Sequence, residues 1–298
     1  NDDADALLRF ALTRALARTA GAEELAALAR HPVRAVRLGA VLALRWAASG
    51  RVADFLDDAD VQIATEAARA AYDLRLPTAM AALAARLSGL RADLRIEPVV
   101  RRALHAALWV GGAEQAGQVA RFAAEPATDD AWRGEAVRVL AQWDHPEDRD
   151  GVWGVWDPRP ARAPGAAHQA IIEQVNAVLA IARGAALAGA TQLTQRERVP
   201  ISNDVLLGWT RDETQYDLAR RFALGMLRAR QAREFPAALD AALSTRSDSL
   251  FGDAIAIAMP RDPGRATAAI ERVLVSPRSP LALKQVAVRA LGRSTAPA

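Results

Sequence analysis

A short acidic or proline-containing turn, followed by an apolar stripe at helical spacing, recurs along this chain. His31-Pro32-Val33-Arg34 leads into Val36, Ala40, Val41 and Leu44, and Asp57-Asp58-Ala59-Asp60 leads into Val61, Ile63, Ala67, Ala70 and Ala71. Glu97-Pro98 precedes Val99, Val100, Ala103, Leu104, Ala107 and Leu108, and Thr128-Asp129-Asp130 precedes Trp132, Ala136, Val137 and Leu140. Aligned on Ala40, Ala67, Ala103 and Ala136, the copies lie 27, 36 and 33 residues apart, within the range of helical-hairpin repeats. A lone hairpin cannot bury such a stripe, so neighbouring hairpins must stack to cover it.

The turns ahead of the stripes suit helix starts, because Asp and Thr can cap free amide groups and proline is tolerated in the first helical turn. Gly21, Gly50, Gly89 and Gly111-Gly112 fall where hairpins should turn and can adopt left-handed backbone. Roughly a quarter of the chain is alanine and only 5% is aromatic, a composition that favours closely packed helices over sheet. Asp157-Pro158-Arg159-Pro160 and Pro164-Gly165 cannot lie inside a helix, so residues 157–165 mark a long connection or a break between sub-arrays. Beyond it, helical patterns are predicted at 166–183, 213–230 (with Leu218, Phe222, Leu224 and Leu227 as its stripe), 235–243, 248–258, 265–275 and 280–291. The predicted fold is all-α: one α-solenoid of HEAT-like helical hairpins over residues 1–298, wound as a right-handed superhelix.

The charge balance restricts the partners. Lys and Arg total 38 against 35 Asp and Glu, a formal charge of +3. The isoelectric point near 10.1 reflects arginine, which keeps its proton to very high pH, since Lys284 is the only lysine. So small an excess gives little long-range attraction to nucleic acid or anionic lipid. With no cysteine, the chain has no disulfide, no thiolate metal site and no covalently attached c-type haem. No apolar run is long enough to span a membrane. The polar start, Asn1 to Asp5, without Met, reads as a processed or excised piece of something longer.

Several segments resemble the HEAT-repeat region of large exported bacterial proteins that join a sugar-dehydrogenase-like β-propeller to a c-type haem domain. The matching words are Phe55-Leu56-Asp57-Asp58-Ala59-Asp60, Glu66-Ala67-Ala68-Arg69-Ala70 and Tyr72-Asp73-Leu74. They continue through Arg101-Arg102-Ala103-Leu104, Ala123-Ala124-Glu125-Pro126 and Glu135-Ala136-Val137-Arg138-Val139-Leu140 to Trp143, Pro146, Arg149-Asp150, Val152, Gly154 and Trp156 to Pro158. The resemblance covers about residues 30–165, with a weaker likeness from 205 to the end. It implies a rigid spacer between catalytic and electron-transfer domains in a periplasmic or membrane-associated setting. It transfers no catalytic residue, because the haem-attachment cysteines and the propeller repeat are missing from this sequence.

No reaction centre emerges from the residues. His31, His105, His145 and His168 never stand three or four apart, so no helical metal pair exists. Asp144-His145-Pro146-Glu147-Asp148-Arg149-Asp150-Gly151 lacks the closing glutamate of a calcium loop and reads as a solvated turn that caps the next helix. Asp57-Asp58 and Asp129-Asp130 read as caps. Arg220, Arg221, Arg228, Arg230 and Arg233 are offset by Asp212, Glu213, Asp217 and Glu234 and read as a solvated face. Trp143, Trp153 and Trp156 beside Arg149 and Arg159 have the composition of a binding hot spot, or of rings that fill an interrupted stack.

The sequence therefore predicts a non-catalytic scaffold or spacer with no cofactor, no metal and no catalytic residue. It would meet a protein partner or neighbouring domains of the same chain, with Trp143, Trp153, Trp156, Arg149 and Arg159 as the candidate contact. The rival reading is a HEAT-like nucleic-acid binder or DNA glycosylase-like enzyme, which the interleaving of acids among the arginines argues against.

Overall fold

Each predicted start in the first half opens a helix. The structure is a computed structural model that describes residues 5–90 and 92–294. Asp60 caps α4 (Val61–Asp73) by accepting from the Gln62 and Ile63 amides, and Pro98 occupies the first turn of α6 (Glu97–Val110). Val33 precedes α3 (Arg34–Trp46), and Asp129 precedes α8 (Asp130–Ala141) without a side-chain capping bond. Asp130 instead takes Arg133 and the Arg183 amide. Asp58 is buried, where it accepts from the Asp60 amide at 2.8 Å and from Arg37 at 2.7 Å.

The chain divides into two compact units, one running to Arg198 and one from Val199. Besides the helices named, the first unit holds α1 (Ala6–Thr19), α2 (Ala22–Ala27), α5 (Pro77–Ala85), α7 (Ala113–Ala124), α9 (His168–Ile181) and α10 (Gly184–Glu197). Here α1, α3, α4, α6, α8 and α10 pack in succession as one row. The 3-10 turn Gly50–Phe55, α5, α7 and α9 form the row behind it. The second unit holds α11 (Asn203–Arg211), α12 (Asp217–Ala229), α13 (Phe235–Leu243), α14 (Asp248–Ala258), α15 (Pro263–Val275) and α16 (Leu281–Ser294). In it α12, α14 and α16 stack in one row, and α11 packs on α13. The fold is all-α, has no strand among the described residues, and its consecutive helix-pair packing is consistent with a helical-repeat fold. No described helix is long and apolar enough to cross a membrane.

The alanines of the stripes, Ala40, Ala67, Ala70, Ala71, Ala103, Ala107 and Ala136, are all buried. Short side chains there let successive helices approach, and dispersion and burial then hold them. Sequence patterning missed α10 and α11. The first opens on Gly184 and carries a weak stripe of Ala, Thr and Gln, while the second has only nine residues. The register predicted for α12 is also corrected: Leu218 and Phe222 are exposed, and the buried face carries Arg220, Ala223, Leu224 and Leu227. Of the predicted turn glycines, Gly89, Gly111 and Gly112 have positive φ; elsewhere Ala48, Arg75, Arg198 and Gln231 take the left-handed position.

Arginine links neighbours at two levels. At half-exposed positions Arg34 meets Asp60 at 2.6 Å, Arg45 meets Glu66 at 2.7 Å and Arg221 meets Asp253 at 2.5 Å. Such pairs contribute little individually. The buried arginines matter more. Arg133 donates to the Ala123, Glu125 and Thr128 carbonyls behind the end of α7. Arg220, read from sequence as solvated, is buried and donates to the Thr210 carbonyl at 3.1 Å and to Glu213 at 2.8 Å. In both cases an arginine near the start of one helix satisfies carbonyls that close the preceding one, ten residues earlier. Replacing Arg220 with Met strands the Thr210 carbonyl in the core. The expected loss is about 3 kcal/mol of unfolding free energy by urea titration, against less than about 0.5 kcal/mol for Arg228→Met on the exposed side.

Candidate functional site

Between α8 and α9 the chain runs through residues 142–167 without a regular element. This strap lies inside the first unit and folds back over α4 and α6. Its tip is a tight antiparallel turn. The Asp150 amide donates to the Val155 carbonyl at 2.9 Å, the Gly154 amide to the Asp150 carbonyl at 2.7 Å and the Asp157 amide to the Asp148 carbonyl at 2.8 Å. Arg149 and Trp156 form the bridge pair.

One carboxylate pins the tip. Asp150 is 2% exposed. Its Oδ2 accepts from the Tyr72 hydroxyl at 2.5 Å and from Arg75 at 2.7 Å, and its Oδ1 from the Val152 and Trp153 amides at 2.9 and 2.7 Å. Arg75 reaches on to Asp157 at 3.0 Å. Burial alone would raise the Asp150 carboxyl, but the bonds from Tyr72, Arg75 and the Trp153 amide outweigh it and hold the group at about 2. Burial and then the adjoining Asp150 push the Tyr72 phenol far up. Beside this node the Trp153 indole N–H donates to Asp73 at 3.0 Å. Arg102 pairs with the same carboxylate at 2.9 Å and lies 5.5 Å from the Trp153 ring centre.

Two glycines admit the strap. A Cβ on Gly151 would sit 2.0 Å from Cε1 of His105, a ring buried on α6. The His105 Nε2 lies 2.9 Å from Glu135 of α8, and since an ionised carboxylate only accepts, Nε2 is the donor. Glu135 is raised by burial but lowered more by His105 and Arg138, to about 2. Gly111, at φ +74°, leaves room for Arg162, whose Nε would stand 2.8 Å from a Cβ there. Arg162 donates to the Trp143 carbonyl at 2.6 Å and to the Leu108 carbonyl. Burial and the nearby Arg159 lower its pKa.

The five residues of the sequence-predicted contact separate here. Trp143 is buried, with Arg162 5.5 Å from its ring centre, so it belongs to the packing of the strap. Arg159 is half-buried. Trp153 and Trp156 stay 57% and 65% exposed around Val155 at 53%. Arg149 is exposed at the base of the same turn, its Nη1 bonded to the Gly154 carbonyl at 2.9 Å. What the tip offers is a small apolar face with one fixed guanidinium, backed by a buried polar network. The carboxylates of the 144–150 run diverge: Asp144 takes the Gly165 amide at 2.7 Å, Glu147 faces Arg138 at 3.8 Å and Asp150 turns inward. Among the described residues no group of three His, Asp or Glu side chains is placed to hold a metal.

Sequence reading missed the residues that hold the tip: Tyr72, Asp73, Arg75, Arg102, His105 and Asp150. Their partners stand up to 82 residues away, beyond any local pattern. The one local sign is Asp150-Gly151, a turn-former beside a residue with no side chain.

Both depressed carboxyls tie stability to pH. A group whose folded pKa lies below its unfolded value stabilises fully above the unfolded value and loses that stabilisation as pH falls. From unfolded values of 3.8 for Asp150 and 4.5 for Glu135 to about 2 in the fold, the losses are ~2 and ~3 kcal/mol. Urea midpoints should therefore drop steeply between about pH 4.5 and 2, and Asp150→Asn should flatten that slope while lowering stability at neutral pH. Gly151→Ala should lift the strap off His105 at a cost of about 2 kcal/mol or more. Limited proteolysis would read this as new cleavage between 142 and 167.

No family model matches the chain, and no curated protein matches it.

Proposed function

We propose that this chain is a non-catalytic scaffold or interaction module that meets a protein partner, or a neighbouring domain of its own parent chain, through the strap tip. The observation that carries this reading is the exposure of Trp153, Val155 and Trp156 on a turn fixed by the buried Asp150–Tyr72–Arg75 node. Exposed aromatic rings with an adjoining arginine are the side chains that most often dominate binding energy. A pre-ordered tip loses little conformational freedom on contact. His105 and His168 are paired with Glu135 and Glu197, and Asp150 is taken up by Tyr72 and Arg75.

The finer reading is a HEAT-type solenoid segment that acts as a rigid spacer in a larger exported redox protein. Its support is the resemblance of residues 30–165 set out above. The nucleic-acid reading has less support, because Arg34, Arg45, Arg102 and Arg221 along the stacked helices are engaged with acids of a neighbouring helix.

A photocrosslinking amino acid at position 156 of the full chain, irradiated in the source cells, should give one dominant protein adduct. Trp153→Ala with Trp156→Ala should weaken capture of that partner by about tenfold or more, while the thermal midpoint moves by less than about 2 °C. Uniform, low-yield labelling at position 156 would sink the proposal. So would tight, salt-sensitive gel shifts with DNA or RNA, or turnover by the purified chain.

A further inference from the structure

Arg159 stands out by composition, yet the strap tip makes no use of it. It lies between Pro158 and Pro160 on the limb that returns from the tip, and its side chain is half-buried. Its Nε and Nη1 are buried with no hydrogen-bond partner, and it forms no ion pair among the described residues. Three residues on, Arg162 spends its bonds on the carbonyls of Trp143 and Leu108, which are neutral acceptors. Burial and then the field of Arg159 hold the Arg162 pKa down, with Asp144 opposing them. The Trp143 ring centre is 5.5 Å from the Arg162 guanidinium, and its indole N–H is also buried without an acceptor.

Negative charge is short at this place. Asp144 gives its Oδ2 to the Gly165 amide at 2.7 Å, its Oδ1 is buried and unbonded, and it pairs with neither arginine. The other acids of the strap are engaged elsewhere or apart: Glu147 faces Arg138, Asp150 and Asp157 face Arg75, and Asp148 is exposed and pairs with neither arginine. Elsewhere in the fold a buried guanidinium meets a carboxylate, as Arg102 meets Asp73 and Arg220 meets Glu213. Two cations served by one unpaired carboxylate carry an excess of positive charge that burial makes costly. An anion held there removes that cost, and a guanidinium fork matches the oxygens of phosphate better than it matches a halide. Pro158, Pro160, Ala161, Ala163 and Pro164 are exposed along this limb, so it can shift around an ion while the stacked helices stay in place.

We infer that Arg159 and Arg162 hold a phosphate-type oxyanion on the return limb of the strap, with Arg159 donating to its oxygens and Arg162 adding charge. The site is separate from Trp153 and Trp156 and does not depend on the partner proposed for the tip.

The test is calorimetric titration of the full chain with inorganic phosphate, and separately with glycerol 3-phosphate, in chloride buffer of fixed ionic strength. Saturable binding at one site per chain is expected. Binding of inorganic phosphate assigns a free ion, and binding of the ester alone assigns a phosphate monoester. Arg159→Gln removes no bond of the fold and should weaken binding by about tenfold or more. Asp144→Asn should tighten it by roughly threefold, because a negative charge beside the site is gone while the Asn oxygen still accepts from the Gly165 amide. Arg149→Gln, at the tip, should bind as the parent does. In chloride the thermal midpoint of Arg159→Gln should not fall below the parent's by more than about 2 °C, and phosphate should raise the parent's midpoint more than the variant's. Phosphate also stabilises proteins generally by exclusion from their surface, so an equal rise in both overturns the inference. It is overturned as well if neither probe binds saturably, if Arg159→Gln titrates like the parent, or if Arg149→Gln loses the binding. None of these failures touches crosslinking at position 156, which tests the strap tip alone.

Discussion

Close approach of helices across alanine governs the rest of this structure. Ala40, Ala67, Ala103 and Ala136 repeat along the row built from α3, α4, α6 and α8, all buried. Side chains so small bring backbones near one another, and the ends of the paired helices are carried into the interior with them. The carbonyls that close a helix have no partner within it, and in the core they cannot turn to water. Arg133 and Arg220 answer that need from the start of the following helix. Lysine, a single point charge, cannot serve several diverging carbonyls at once, whereas the guanidinium fork can. A chain with Lys284 as its only lysine fits this packing: its cations include structural donors.

The strap obeys the same rule at larger scale. Residues 142–167 carry backbone groups that no ladder satisfies, so they need partners on the helices they cross. Those partners concentrate where α4 ends and along α6: Tyr72, Asp73, Arg75, Arg102 and the carbonyl of Leu108. Charges this deep are tolerated because every one is met by an opposite charge or several donors. Sterics complete the fit, since Gly111 and Gly151 remove the side chains that would hold the strap away.

What could be read from the sequence follows from the range of the forces involved. The apolar stripes are local, and they placed α3, α4, α6, α8 and the helices from α12 onward. They failed where the stripe was weak, in α10, or short, in α11. They also misjudged α12, where the packed side includes a buried arginine and leaves Leu218 and Phe222 outside. The tryptophans and arginines of the strap stood out by composition, but composition cannot separate Trp143, which fills the interior, from Trp153 and Trp156, which face out. That separation is made by Asp150, whose Tyr72 and Arg75 partners lie 78 and 75 residues away. Local reading saw in Asp150 only a turn-former.

Anchor and contact are thus carried by different residues of one turn. Asp150 faces inward and takes four donors, so it fixes backbone while offering nothing to a partner. Trp156 faces outward on the opposing side of the turn, and Trp153 bridges the two roles, its indole N–H held by Asp73 while its ring stays exposed. A ring fixed at its polar end keeps one orientation, so its apolar face is presented with little rotamer freedom left to lose. Substitutions at the anchor therefore act on stability first and on contact through it. Substitution of Trp156 acts on contact alone, whereas substitution of Trp153 also gives up its bond to Asp73, and the stacked helices beneath stay as they are.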